Sequence, residues 1–186
     1  MKRLLIVMVV VGAVITASAQ LCPVQVSVQR SSKKDSTPGS VTHHGNMVYF
    51  SSSKLSSSLS LRITLQNPLT GPVEELVVRW GIAKTRLGAS GHGDIVSYGG
   101  EEKFSLRGKE LKVIETESVE AGSRESLVSD RRSGEKIMGH GVQVLLGGKV
   151  VWEEFVPGSI KASFENLKPI SELESKKKPA KSSKKH

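Results

Sequence analysis

Alternation of apolar and polar residues at every second position constrains this chain more than any other feature. Val24, Val26 and Val28 alternate with polar residues, and "LSLRITL" (59–65) and "LVVRWGI" (76–82) continue the same period. Because successive side chains of a strand point to opposite faces, the pattern predicts strands that each bury one face. After Gln29, a polar loop rich in Ser, Thr and Gly is expected to continue to about Gly45.

Glycine and proline separate these segments. "NPLTGP" (67–72) and "LGASGHGD" (87–94) predict turns or exposed loops, and Gly147-Gly148 predicts a two-residue hairpin turn that needs positive φ angles. Pro157 is expected to end the last strand, and only 159–173 reads as a short helix. Seven or eight short strands without intervening helices predict an all-β antiparallel sandwich or barrel, with a small mixed α+β domain as the alternative.

Two segments resemble parts of a known fold. "LSLRITLQNPLTGPVEELVVRWGI" (59–82) is similar to the B-to-C portion of an immunoglobulin-like or fibronectin-III-like domain, with Trp80 as the core aromatic. "GHGVQVLLGGKVVWEEFVP" (139–157) is similar to the closing hairpin of that fold, although the paired cysteines of true immunoglobulin domains are lacking. The resemblance implies one Greek-key β-sandwich over 20–168 and a role in binding, adhesion or structural support.

The first residues have the pattern of a secretory signal peptide (1–19), with a cationic start, an apolar run and cleavage between Ala19 and Gln20. The apolar run of 4–15 is shorter than the roughly 20 residues of a transmembrane helix, so no span is expected in the mature chain. Cys22 allows a lipid anchor or a disulfide between chains as alternatives. The lone cysteine favours a bacterial protein, exported to the periplasm or the exterior.

A lysine-rich stretch ends the chain and is predicted to be a disordered tail (169–186). Its lysines are Lys176, Lys177, Lys178, Lys181, Lys184 and Lys185. Of the 27 Lys and Arg residues, these six and two in the signal peptide lie at the ends, which leaves 19 against 18 acidic residues between them. The body is nearly neutral, so we expect the tail, and not a folded basic face, to contact anionic surfaces.

The residues predict no catalytic, cofactor-binding or metal site, and no cofactor. No G-x-S-x-G nucleophile motif or dinucleotide-binding fingerprint occurs. His43 and His44 would point to opposite faces of a strand, whereas in a loop they could converge with His92. Glu115 and Glu117 would share one face of a strand, where solvent-facing charges that discourage edge pairing explain them.

The sequence leaves three alternative hypotheses for the function. The first is a non-enzymatic binding or structural protein of the bacterial cell envelope, with an unknown protein or envelope partner and a tail held weakly on an anionic membrane or polymer. The second is binding of extracellular nucleic acid or another acidic polymer, which the neutral body disfavours. The third, a small hydrolase or metal-binding protein, lacks a matching set of residues.

Overall fold

The computed structural model describes residues 22–88, 91–126 and 131–173. These residues form eleven strands and one short helix, which confirms the predicted all-β class. The strands are β1 (Gln25–Thr37), β2 (Val41–His44), β3 (Met47–Phe50), β4 (Ser53–Gln66), β5 (Val73–Gly88), β6 (Gly91–Leu106), β7 (Leu111–Glu115), β8 (Val119–Glu125), β9 (Arg132–Leu146), β10 (Lys149–Val156) and β11 (Lys168–Pro169). A 3-10 turn at Gly158–Ile160 leads into the helix, α1 (Lys161–Phe164), which lies inside the segment predicted to be helical.

Nine strands are hydrogen-bonded into one sheet, and β2 and β3 form a separate hairpin. The main order is β1-β4-β8-β9-β5-β6-β11, and all pairs along it are antiparallel except β11 with β6. Strand β4 pairs with β8 through its first half and with β7 through its second half, while β10 extends the edge of β9. Strand β8 pairs with β4 on one side and with β9 on the other. It therefore joins the part of the sheet that contains β1 and β4 to the part that contains β5, β6 and β9.

Thr116 stabilises the point where β4 exchanges one partner for the other. The Leu61 N–H donates to Thr116 Oγ1 at 2.8 Å, and the Thr116 N–H donates to the Leu61 carbonyl at 2.9 Å. Thr116 is buried, and a buried backbone group without a partner would be costly. The side chain thus replaces the ladder hydrogen bond that is lost between β7 and β8.

The main core forms where β4 and β7 pack against β5 and β9, an arrangement like that of a β-sandwich. The predicted apolar faces supply it, since Leu61, Ile63 and Leu65 of β4 are buried while Arg62 between them is exposed. The buried members of this cluster are Val24, Leu61, Ile63, Leu65, Val73, Leu76, Val78, Leu106, Ile114, Val142 and Val144. Trp80 packs against the cluster, as the sequence predicts for a core aromatic.

The outer face of β5 is covered by the segment after β10. Gly81 pairs with Gly99 on one side and Gly141 on the other, so three strands present a row of glycines. Phe164 and Leu167 fill this depression: a Cβ on Gly81 would lie 2.5 Å from Leu167 Cδ1 and 2.9 Å from Phe164 Cε2. Residues 81–85 of β5 are buried on both faces of the sheet.

Several local predictions are confirmed, and two are wrong. Gly147 (φ 53°) and Gly148 (φ 80°) form the two-residue turn between β9 and β10, and β10 ends at Val156 before the proline. The segment 87–94, predicted as a turn or exposed loop, instead continues β5 to Gly88 and begins β6 at Gly91, because the two strands pair almost to their ends. The polar loop expected between Gln29 and about Gly45 is wrong. Strand β1 runs on to Thr37, because its serine-rich half hydrogen-bonds to β4 through the backbone, which needs no apolar side chains.

The packed body reaches residue 173. Ile170 and Leu173, which fall in the segment predicted as tail, pack against a smaller cluster that includes Ile82 and Tyr98. Among the residues described, no helix has the length and apolar character needed to cross a bilayer.

Candidate functional site

A polar cleft of about 1020 Å³ lies where β4 and β8 face the second half of β5 and the start of β6. Residues after β11 close one side of it. The polar residues that line it are Lys33, Asp35, Ser56, Ser57, Ser58, Lys84, Thr85, Arg86, Asp94, Tyr98, Glu117, Ser118, Glu120, Glu135 and Lys168. Its size is that of a pocket for a small molecule or a short oligomer.

Lys84 is the buried charge of the cleft, with only 5% of its surface exposed. Its ammonium donates to the Glu120 carbonyl at 2.8 Å and lies 2.5 Å from Glu135 Oε2. The Tyr98 ring is 5.7 Å away from Nζ. A buried ammonium needs such partners because burial removes its hydration. The lysine therefore binds β8 and β9 to β5 at the base of the cleft.

The rest of the lining mixes hydroxyl groups with charges of both signs. Among the described residues, four basic and five acidic ones line the cleft, so their charges nearly cancel. Thr85 Oγ1 donates to the Gly93 carbonyl at 2.7 Å, so that hydroxyl is held by the fold. Such a surface suits a ligand that offers hydroxyl, amino and carboxylate groups together.

Glu117 lines the cleft, whereas Glu115 does not. Strand β7 ends at Glu115, whose carboxylate lies 3.8 Å from Arg62 Nε with both side chains largely exposed. Glu117 follows after the buried Thr116 and lines the cleft. The two carboxylates therefore do not share the strand face that the sequence predicts.

The structure places His43 and His44 in β2, opposite Val48 and Met47 of β3. Adjacent residues of a strand point to opposite faces, so of the two alternatives left by the sequence, the strand applies and the pair does not converge. The side chain of His92 lies outside the described residues. Within the described ranges, no group of three or more His, Cys, Asp or Glu side chains is arranged to hold a metal ion.

His140 is a buried histidine that the sequence analysis did not single out. It is 4% exposed, and its Nε2 lies 3.6 Å from Glu154 Oε1 on the neighbouring strand. It continues the buried face of Val142 and Val144 in β9. With a single acidic neighbour, the histidine has a structural position in the sheet and is not among the residues lining the cleft.

The remaining predicted site residues lie at the ends of the chain. The cleavage residues Ala19 and Gln20 and the six tail lysines fall outside the described residues. Cys22 is half-buried against the main core, and this burial raises the pKa of its thiol above the ordinary value of 9.0, more than a backbone hydrogen bond at Val24 lowers it. The thiol is therefore a weak nucleophile at neutral pH.

Sequence reasoning also missed Lys84, although a signal for it exists. The apolar period of β5, Leu76-Val78-Trp80-Ile82, continues onto Lys84 and places a charge on the buried face. A charged residue in the apolar register of a strand predicts either a buried ion pair or a site. Its partners could not be named, because they lie on β8 and β9.

Comparison with known proteins adds little to the geometry. No family model and no curated protein matches the chain. A crystal structure from Akkermansia muciniphila is 15% identical, with 80% of this chain and 81% of that one covered, at a TM-score of 0.30. An alkylpurine DNA glycosylase, AlkC, of Pseudomonas fluorescens bound to DNA with an abasic-site analogue is 23% identical, over 53% of this chain and 24% of that one, at a TM-score of 0.27.

A structural-genomics target of the Northeast Structural Genomics Consortium is 11% identical, with 63% of this chain and 85% of that one covered, at a TM-score of 0.24. These TM-scores are too low for any of the three structures to support a shared function.

Proposed function

We propose that the protein is an exported, non-enzymatic binding protein of the bacterial cell envelope, which holds a polar ligand in the cleft around Lys84. The observation that supports the proposal is that the ammonium of Lys84 is held by contacts within the protein. Its ammonium already contacts a carbonyl, a carboxylate and an aromatic ring. A lysine held in this way serves to shape a site, whereas a catalytic amine has to be free to attack or to exchange a proton.

The ligand class follows from the lining. Hydroxyl groups from β4, charges of both signs and one aromatic ring match a glycan fragment that also carries amino and carboxylate groups, such as a soluble piece of peptidoglycan. A polyanion such as nucleic acid fits less well, because the cleft has no excess of basic residues to attract it.

The proposed fold is an immunoglobulin-like variant of the β-sandwich. Packing of β4 and β7 over β5 and β9, the core position of Trp80 and the closing hairpin β9–β10 support it. The hydrogen-bonded continuity through β8 is the feature in which this chain differs from two separate sheets.

Export and attachment complete the proposal. The signal-peptide pattern ending at Ala19 supports a periplasmic or extracellular location. Each of the six tail lysines would contribute about 1 kcal/mol near an anionic surface at low salt, screened over about 8–10 Å at physiological salt. The tail is thus a weak electrostatic tether.

Binding of soluble peptidoglycan fragments tests the cleft. Ser118 lines the cleft and is exposed, so Ser118→Trp would obstruct part of it without disturbing the core. Ser105→Trp, at an exposed position of β6 outside the cleft, is the matched control. Calorimetry is expected to show binding by the wild type and the control and at least a tenfold loss for Ser118→Trp. Equal binding by all three proteins, or no binding by the wild type, contradicts the proposed ligand.

Deletion of residues 175–186 tests the tail separately. Retention on anionic vesicles at low salt is expected to fall, while binding of peptidoglycan fragments stays unchanged. If the truncated protein is retained as well as the full one at low salt, the tail is not a tether.

A further inference from the structure

Strands β2 and β3 form the end of a long hairpin. Strands β1 and β4 pair as far as Thr37 and Lys54, and beyond them the Ser51 N–H donates to the Ser40 carbonyl at 2.8 Å. The chain then turns at Gly45, whose φ is 59°. Every residue from 40 to 51 is exposed, and we call this segment the hairpin tip.

The hairpin tip is unusually apolar for an exposed element. Eleven large apolar side chains are exposed in the described part of the chain, and five of them lie in the ten residues of 41–50. They are Val41 (50% exposed), Met47 (64%), Val48 (45%), Tyr49 (53%) and Phe50 (53%). Exposed apolar side chains that cluster in this way mark a surface that contacts a partner or a membrane.

Apolar side chains occupy both faces of the hairpin tip. The pairing of Val41 with Phe50 and of His43 with Val48 puts Val41, Phe50 and Val48 on one face. Tyr49 and Met47 lie on the other, where the Tyr49 hydroxyl contacts Met47 Sδ at 3.4 Å. A hairpin that packs on a protein needs one apolar face, whereas one that enters a lipid surface is surrounded by it and presents both.

Basic residues outnumber acidic residues around the base of the hairpin tip. No Asp or Glu occurs between Asp35 and Glu74 in the sequence. Lys34, Lys54 and Arg124 lie on the strands behind the hairpin tip, and Asp35 and Glu125 are the acidic residues at the same level. Lys54 is the nearest lysine, three residues after the tip. Basic residues behind an apolar end with Tyr and Phe are complementary to the headgroups and interface of an anionic bilayer.

We infer that the hairpin tip inserts into the interfacial layer of an anionic phospholipid bilayer, which deepens and rests on the proposed attachment of the exported protein to anionic surfaces. The aromatic rings of Tyr49 and Phe50 enter the boundary between headgroups and acyl chains, and Lys54, four residues after Phe50, contacts lipid phosphates. Insertion stops there, because the outer edges of β2 and β3 have backbone groups that need water or headgroups as partners.

Sedimentation with vesicles of phosphatidylglycerol and phosphatidylcholine tests the inference on the processed chain, 20–186. Binding is compared at low salt and in about 1 M salt, where the Debye length falls to about 3 Å and attraction by the tail is screened. The test variant is Y49S/F50S, and both side chains are exposed, so its fold should be intact by circular dichroism. The matched control is L69S/L111S, which removes two apolar side chains of similar exposure (51% and 55%) at the opposite end of β4.

Salt-resistant binding is expected for the wild type, for L69S/L111S and for the protein without its tail. Y49S/F50S is expected to lose at least tenfold in partitioning, the factor that corresponds to about 1.4 kcal/mol. Loss of all binding in high salt, or equal partitioning of Y49S/F50S and wild type, would overturn the inference. If the wild type forms a dimer that Y49S/F50S dissociates, while vesicle binding is the same for both proteins, the inference is overturned and the partner of the hairpin tip is a second copy of the chain. If deletion of 175–186 leaves low-salt binding unchanged, the proposed tether by the tail is wrong. The comparison of Y49S/F50S with wild type in high salt still tests the hairpin tip in that case.

Discussion

Replacement of Lys84 by methionine separates two opposed effects of a buried charge. Lys84→Met keeps the length of the side chain and removes the ammonium. The hydrogen bond to the Glu120 carbonyl, made by a charged donor at 2.8 Å, contributes about 1.5–3 kcal/mol. The contact with Glu135 adds less than about 1 kcal/mol, because that side chain is 43% exposed and solvent screens it. We expect Lys84→Met to lower the free energy of unfolding by about 2 kcal/mol in total.

Urea unfolding at neutral pH measures this loss as a lower midpoint with an unchanged slope. Lys161→Met is the matched control, since Lys161 is 56% exposed and also pairs with a glutamate, Glu153; its effect should stay within about 0.5 kcal/mol. In a double-mutant cycle, Glu135→Gln should account for less than about 1 kcal/mol of the effect of Lys84→Met.

Two results would refute the reasoning on Lys84. If Lys84→Met is as stable as the wild type or more stable, desolvation of the ammonium outweighs its contacts. If the whole loss disappears in the Glu135→Gln background, the ion pair and not the carbonyl contact holds the lysine in place.

Three further predictions concern other parts of the molecule. Gly99→Ala would put a Cβ 1.8 Å from a backbone carbonyl oxygen of β5 and should destabilise by at least about 2 kcal/mol, whereas Gly122→Ala, with nothing within 4 Å, should change the melting temperature little. The hydrogen bond from Lys161 holds the pKa of Glu153 below 4.5, so the stability that this contact contributes is present above pH 4.5 and is lost on acidification; the difference between wild type and Glu153→Gln should therefore shrink below that pH, and a constant difference would contradict it. Since burial raises the pKa of Cys22, iodoacetamide should alkylate it several-fold more slowly at neutral pH in the native than in the unfolded protein, and equal rates would contradict its half-buried position.

The local features of the fold could be read from the sequence because they depend on neighbouring residues alone. Alternation placed Leu61, Ile63 and Leu65 on the buried face of β4, since side-chain direction in a strand repeats every two residues. The turn at Gly147-Gly148 was predictable because few residues other than glycine adopt positive φ at two consecutive positions. Both properties belong to segments of fewer than about ten residues.

Pairing between distant strands was beyond the sequence. The polar half of β1 has no apolar period and was predicted to be a loop, yet it forms a strand because β4 offers its backbone groups along the whole length. The same limit hid the role of the glycines. Gly81, Gly99 and Gly141 are far apart in the chain, and only the register of β5, β6 and β9 aligns them, with Phe164 over Gly81 and Gly141.

The sequence by itself determined the all-β class, the buried face of several strands, the closing hairpin and the expectation of an exported chain with a basic tail. Tertiary structure alone decided the cleft and the hairpin tip. Lys84 could be placed on an apolar face from its position in β5, but its partners are 36 and 51 residues further along the chain. A site of this kind arises when backbone hydrogen bonding between strands brings such residues together, and that pairing is a property of the whole sheet.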